Sequence, residues 1–238
     1  MASLVNELVA AFWLAGDLLA GGDAQLYGIV VLSLQLSAGA VLVSTLLGLP
    51  FGALLGLGRF PGRRVLIVIT NAFMGMPPVV VGLFVYLMLS RSGPLGELGW
   101  LFRPEAMVVA QVVLITPIVV ALSRQIVEDL WAQLGDQLRS LGCSPLRAVP
   151  TLLREGRWSL LTVVLAGFGR SVSEVGAIII VGGNIAHVTR TMTTAIALET
   201  SKGDLPLALA LGAILIGVVL TINAGAYQLR QWAERRWG

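Results

Sequence analysis

LPLALALGAILIGVVLTINAGAYQL, residues 205–229, holds no Asp, Glu, Lys or Arg. Coiled as a helix it is about 37 Å long, more than a bilayer core of about 30 Å requires. Three further runs without those four residue types precede it, at 24–58, 65–90 and 106–123. A fifth stretch, 158–182, is apolar except for Arg170 and Glu174 near its centre. About five transmembrane helices follow, and with them an all-α integral membrane fold over 25–228.

Composition agrees. The chain is 56% hydrophobic and 12% charged, with a mean hydropathy of +0.87. A soluble domain carries about 25% charged residues, so too little polar surface exists to cover a water-exposed globule. The net charge of +3 is small, and the basic residues form no block suited to nucleic acid. Cys143 is the single cysteine, which excludes an intramolecular disulfide. His187 is the only histidine, so no pair of histidines is available for a metal or a relay. No catalytic or metal-binding set is expected.

Positive loops stay in the cytoplasm, and alternate loops differ sharply. Arg59, Arg63, Arg64, Arg124, Arg139, Arg147, Arg154, Arg157, Arg230, Arg235 and Arg236 fall on one side of the predicted spans. Arg91, Arg103, Arg190 and Lys202 fall on the other. The N-terminus is therefore expected outside and the C-terminus, a basic tail over 229–238, inside. The first charged side chains, Glu7 and Asp17, exclude the basic opening of a secretory signal. Within 1–24, Leu4, Val5, Leu8, Phe12, Ala15 and Leu19 recur at helical spacing opposite Asn6, Glu7 and Asp17. That pattern predicts an amphipathic helix on the outer surface; a sixth span is the alternative.

The segment 124–157 is the longest between spans and semi-polar. A short helix is expected from about 133 to 141, stopped by Gly142 and followed by Ser144-Pro145 as an exit. Its sequence is Asp136-Gln137-Leu138-Arg139-Ser140-Leu141-Gly142-Cys143-Ser144-Pro145. Asp136-x5-Gly142-x-Ser144-Pro145 resembles the cytoplasmic "EAA" loop of binding-protein-dependent ABC importer permeases. Gln137 and Leu138 stand where that family usually has alanines. Ser173-Glu174-x-Gly176, then Gly183-Asn184-Ile185, resembles the permeases for tetrahedral oxyanions among them. The run TAIALETSKGD, residues 194–204, looks most like the tungstate permeases.

The resemblance implies a type I ABC importer permease fold in the cytoplasmic membrane of a prokaryote. It implies a homodimer, with the coupling helix of each copy (about 133–145) seated on one of two ATP-binding subunits. ATP and Mg2+ would be held by those subunits and no cofactor by this chain. An extracytoplasmic oxyanion-binding protein would deliver tungstate, molybdate or sulfate. The sequence fits this division of labour, because it has no Gly-x4-Gly-Lys-Ser/Thr phosphate loop and Lys202 is its only lysine.

Within the fourth span, Arg170, Ser171, Ser173 and Glu174 fall on one side of a helix. Charge inside a bilayer usually faces protein or water, and Arg170 and Glu174, four apart, can pair. Two readings stand: an ion pair locking helices, or a polar lining to a translocation path. Met76 and Pro77, in Met74-Gly75-Met76-Pro77-Pro78, interrupt the second span and belong to the same candidate path with Gly176. Gly182, Gly183, Asn184, Thr193 and Thr194 are candidates for an outer loop at the pore mouth. An ion-coupled transporter would need intramembrane carboxylates, of which Glu174 is the only one. An intramembrane Ser–His protease would need His187 within the membrane, yet it falls in an outer loop.

Overall fold

The computed structural model describes residues 13–18 and 20–237, and every regular element among them is helical. Helix α1, Ala24–Leu57, is capped by Asp23, whose side chain accepts from the Gln25 N–H. At 34 residues it is about 51 Å long, and Pro50 lies within it. Helix α4, Pro104–Ser140, has 37 residues and begins with proline at a position that has no N–H partner to lose.

Both long helices run in the same direction. Ser44 Oγ donates to the Val112 carbonyl at 3.5 Å; Gly48 lies against Val119, Gly52 against Ser123 and Gly56 against Val127. A Cβ on Gly52 would sit 2.0 Å from Ser123 Oγ and 2.6 Å from the Val120 carbonyl oxygen. Small residues at one-turn spacing thus bring the backbones together, the usual device where lipid supplies no hydrophobic drive between helices.

Parallel packing fixes the topology. Taking the start of α1 as the upper end, Leu57 is at the lower end and Pro104 at the upper one. The chain between them must cross back. It does so as α2, Arg63–Met74, and α3, Pro78–Leu89, each 12 residues and each too short to cross alone at about 18 Å. They meet at a 104° bend over Gly75–Pro77, the interruption expected from the sequence. The return from α4 begins with α5, Pro145–Glu155, and continues in α6, Arg157–Val172, and α7, Gly176–Gly182. Gly156 lies beside Leu130, Gly167 beside Ile115 and Gly182 beside Met107, so α6 and α7 climb antiparallel to α4. After α8, Met192–Lys202, helix α9, Leu205–Trp237, descends. Among the described residues this makes five traverses when each bent pair is counted as one, in line with the five charge-poor stretches.

Residues 13–18 are helical and lie against α9. Leu18 shares a cleft with Leu207 and Leu211, and Ala15 and Gly16 share another with Ile214, Gly217 and Val218. Going toward the N-terminus therefore means going down α9. The remainder of the predicted amphipathic helix, 1–12 and 19, lies outside the described residues.

One element differs from expectation. Residues 133–140 are not a separate short helix but the last turns of α4. Nothing between Pro117 and Gly142 breaks the helix, and Gly135 is held under the Trp131 ring. Ser144-Pro145 is not an exit but the N-cap and first residue of α5.

Candidate functional site

Two regions carry polar groups that bundle packing alone does not require. The first lies at the break between α6 and α7. Helix α6 stops at Val172, α7 starts at Gly176, and their axes differ by 59°. Glu174 occupies the gap and is 3% exposed. Its Oε2 accepts from Arg170 Nη1 at 2.7 Å and its Oε1 from the Ala177 N–H at 3.0 Å. Its backbone carbonyl accepts from Thr193 Oγ1 at 2.8 Å. One residue thus ties the end of α6, the start of α7 and the first turn of α8.

The two broken traverses meet here. A Cβ on Gly176 would lie 3.0 Å from Val79 Cγ2, and one on Gly82 would lie 2.7 Å from the Ala177 Cα. Met76 packs at the edge of the same core, and Pro77 caps α3 with extended backbone. Helix breaks are tolerated at membrane depth only where protein or a water-filled cavity satisfies the freed groups. The Glu174 carboxylate does part of that. The Arg170 side chain is 34% exposed, and Nη1 alone of its donor atoms has a partner among the described residues.

The four residues expected on one helical side do not all stay together. Ser171 and Glu174 are buried, Arg170 is half-buried and Ser173 is exposed, with its Oγ donating to the Arg170 carbonyl at 3.1 Å. The helical period ends with α6 at Val172, so it does not reach Ser173. Gln111 is a member that sequence reasoning missed. It is 2% exposed and donates through Nε2 to the Ser171 carbonyl at 3.2 Å. Its signal was faint: an uncharged polar residue inside a charge-free run.

The outer-loop candidates divide. Gly182 and Gly183 end α7, with Gly183 left-handed at φ 69°, and Asn184 follows at φ 51°. Asn184 Nδ2 donates to the Thr194 carbonyl at 3.4 Å. Thr194 is buried and completes a reciprocal cap with Thr191. Thr193 is not at a mouth but buried, reaching Glu174.

The second region is the elbow at the lower end. Asp136, Gln137, Leu138, Arg139 and Ser140 form the end of α4. Gly142 turns the chain at φ +74°, a left-handed conformation that costs other residues about 1–2 kcal/mol. The Cys143 N–H closes the turn onto the Leu138 carbonyl at 2.9 Å. Beneath it, Ala148 and Leu152 of α5 are fully buried against Ala53, Leu57 and Val127. The elbow is thereby fixed to the ends of both long helices. Its outer face is different: the Asp136 side chain is 97% exposed and Leu141 is 83% exposed. Neighbouring Arg63 and Arg124 are both paired with Glu128, which locks the start of α2 and the lower half of α4 together.

A multi-helix membrane bundle with two broken traverses and an elbow packed at one end is the architecture of a membrane transport component of the kind the family match identifies. The chain belongs to the family of binding-protein-dependent transport system inner membrane components, whose family model matches residues 48–238. It is 41% identical over 218 residues to a probable anion ABC transporter permease protein of Haloferax volcanii, covering 90% of this chain and 94% of that one. It is 36% identical over 227 residues to the tungstate uptake system permease protein TupB of Peptoclostridium acidaminophilum, covering 95% and 100%. The molybdenum transport system permease protein ModB of Escherichia coli K12 is 31% identical over 185 residues, covering 74% and 81%.

Proposed function

We propose that this chain is the permease of an ATP-driven importer for a tetrahedral oxyanion, tungstate in first place, working by alternating access. The observation that carries the ATP-driven part is the elbow over 136–155. It is rigidly packed on its inner side and presents Asp136 and the large apolar Leu141 outward. An exposed leucine beside a carboxylate, at the end of a helix that crosses the bundle, is built to be gripped and pushed. Two ATP-binding subunits would grip the elbows of a homodimer and hold the ATP and Mg2+. Their closure would move α4, and with it α1, because the two helices are locked through Gly48, Gly52 and Gly56.

The distribution of arginine supports a cytoplasmic lower end. The upper end, with α8 and the 183–191 turn, would then meet an extracytoplasmic oxyanion-binding protein. Substrate class rests on the relatives, one a tungstate and one a molybdenum permease, and on Arg170. With one hydrogen bond to Glu174 and a third of its side chain exposed, Arg170 can keep that ion pair and still offer N–H groups to a passing anion. The two readings of the pair are compatible. Such contacts should be weak, because tight binding in a passage would stop release. Ala15 lies beside Ile214, nine residues into α9 or about 14 Å below its start; that depth favours a membrane-inserted course for 13–18 over one on the surface.

Accumulation of tungstate, molybdate and sulfate, each measured in cells with and without this chain, tests the proposal. Tungstate uptake that depends on the chain supports it; no difference for any of the three contradicts it.

A further inference from the structure

The lower end carries a basic cleft that the elbow and the passage do not use. It has a volume of about 540 Å³ and opens between the end of α1 and the start of α2. Arg59, Phe60, Arg63, Arg64, Val65 and Trp131 line it, and no carboxylate does. Glu128 already pairs Arg63 and Arg124. Among the described residues Arg59 and Arg64 have no ion pair or side-chain hydrogen bond. Two unneutralised guanidinium groups therefore share one concavity. A second cleft, about 580 Å³, shares Arg59 and extends to Arg139, Ser144 and Pro145 of the elbow.

What lies beside the cleft narrows its ligand. Helix α2 has no buried residue, and Val65, Val68, Ile69 and Phe73 along it are exposed. Charged groups thus sit at the head of an open apolar surface, with Phe60 and Trp131 at the boundary where aromatic rings favour the headgroup level. A free anion would use the arginines and leave the apolar surface idle. A phosphodiester carrying acyl chains uses both.

We propose that this cleft binds the headgroup of an anionic phospholipid from the inner leaflet, with Arg59 and Arg64 on the phosphate and an acyl chain along α2. The site rests on the orientation given above, since only the arginine-rich face meets that leaflet. Arginine binds phosphate as a planar fork with several donors. Basic pockets at the cytoplasmic ends of membrane helices suit anionic headgroups for the same reason. Because Arg59 also borders the elbow, the lipid would form part of the wall behind the coupling segment.

The test uses the full chain purified with its ATP-binding subunits and titrated with brominated phosphatidylglycerol, whose bromines quench nearby tryptophan. Quenching at Trp131 is assigned by its loss in Trp131→Phe. Arg59→Gln/Arg64→Gln should weaken the binding about twenty-fivefold, at about fivefold per arginine, while Arg59→Lys/Arg64→Lys should stay within a few-fold of the parent. Brominated phosphatidylcholine should not saturate the site, and inorganic phosphate or tungstate at millimolar concentration should not displace phosphatidylglycerol. Unchanged lipid binding in the glutamine variant overturns the proposal. Displacement by phosphate or tungstate overturns it in favour of a free-anion site. Loss of the ATP-binding subunits from the glutamine variant, with lipid binding retained, overturns it in favour of a protein contact. Tungstate uptake by the parent tests the transport reading separately, since lipid binding is measured without turnover.

Discussion

Removing the Glu174 carboxylate tests the structural heart of the bundle. Glu174→Ala deletes the acceptor of Arg170 Nη1 and of the Ala177 N–H. A charge-assisted hydrogen bond contributes about 1.5–3 kcal/mol, and a buried N–H left unpaired costs about 1–3 kcal/mol. Breaking a buried ion pair costs about 3–5 kcal/mol, but water reaches the third of Arg170 that is exposed and lowers that figure. The net loss should be about 3 kcal/mol. Glu174→Gln keeps a carbonyl oxygen for Ala177 and gives up the charge, so it should cost about half as much. For a chain of this length about 1 kcal/mol corresponds to about 2–4 °C, which places the alanine variant about 6–12 °C below the parent and the glutamine variant between them. Thermal unfolding of the detergent-solubilised protein, followed by intrinsic fluorescence, measures both. Two variants within about a degree of the parent would refute the view that this carboxylate holds the break together.

Four other outcomes are expected. Asp136→Lys touches only a side chain that is 97% exposed and whose pair with Arg139 is a surface one, worth at most about 1 kcal/mol. Folding and insertion should persist while ATP-driven uptake is abolished, measured as initial rate in vesicles. Gly52→Val drives a side chain into Ser123 and the Val120 carbonyl; overpacking of this kind costs about 1–3 kcal/mol or more, and the yield of folded protein should fall. Arg170→Gln removes the charge that pairs the buried Glu174 carboxylate, so thermal stability should fall at least as far as in Glu174→Gln, by about 1.5 kcal/mol or more, and the anion flux per folded protein should drop; equal flux per folded protein would leave the pair a purely structural lock. A cysteine introduced at Ser3 should react with a membrane-impermeant maleimide only from the cytoplasmic side if 3–20 crosses the membrane, and from outside if it rests on the surface.

Much of the fold was legible because lipid is an intolerant solvent. The runs at 24–58, 65–90, 106–123 and 205–229 each became a helix or a broken pair, since no charged residue inside them needed water. The interruption at Met74–Pro78 was readable from proline and glycine chemistry. The break at 173–175 was not, because no proline marks it. It forms where Gly176 lets Val79 approach and where Glu174 replaces the lost helical acceptor for Ala177. The elbow was drawn wrongly: polarity rises after Ser123, but a helix does not end where hydrophobicity ends, so α4 continues to Ser140. Ser144-Pro145 is ambiguous in sequence, since the pair serves both after a helix and at the start of one. Only the packing of Ala148 and Leu152 on Ala53, Leu57 and Val127 decides for the start. Gln111 escaped notice and Thr193 was assigned to the mouth for a similar reason, both being polar residues whose partners are far away in the chain.

The most direct measurement is tungstate uptake into vesicles containing this chain, with the ATP-binding subunit and the binding protein added or withheld. Uptake that requires ATP and both partners, and that Asp136→Lys eliminates, is the predicted result. Uptake driven by an ion gradient with neither partner present would contradict the account.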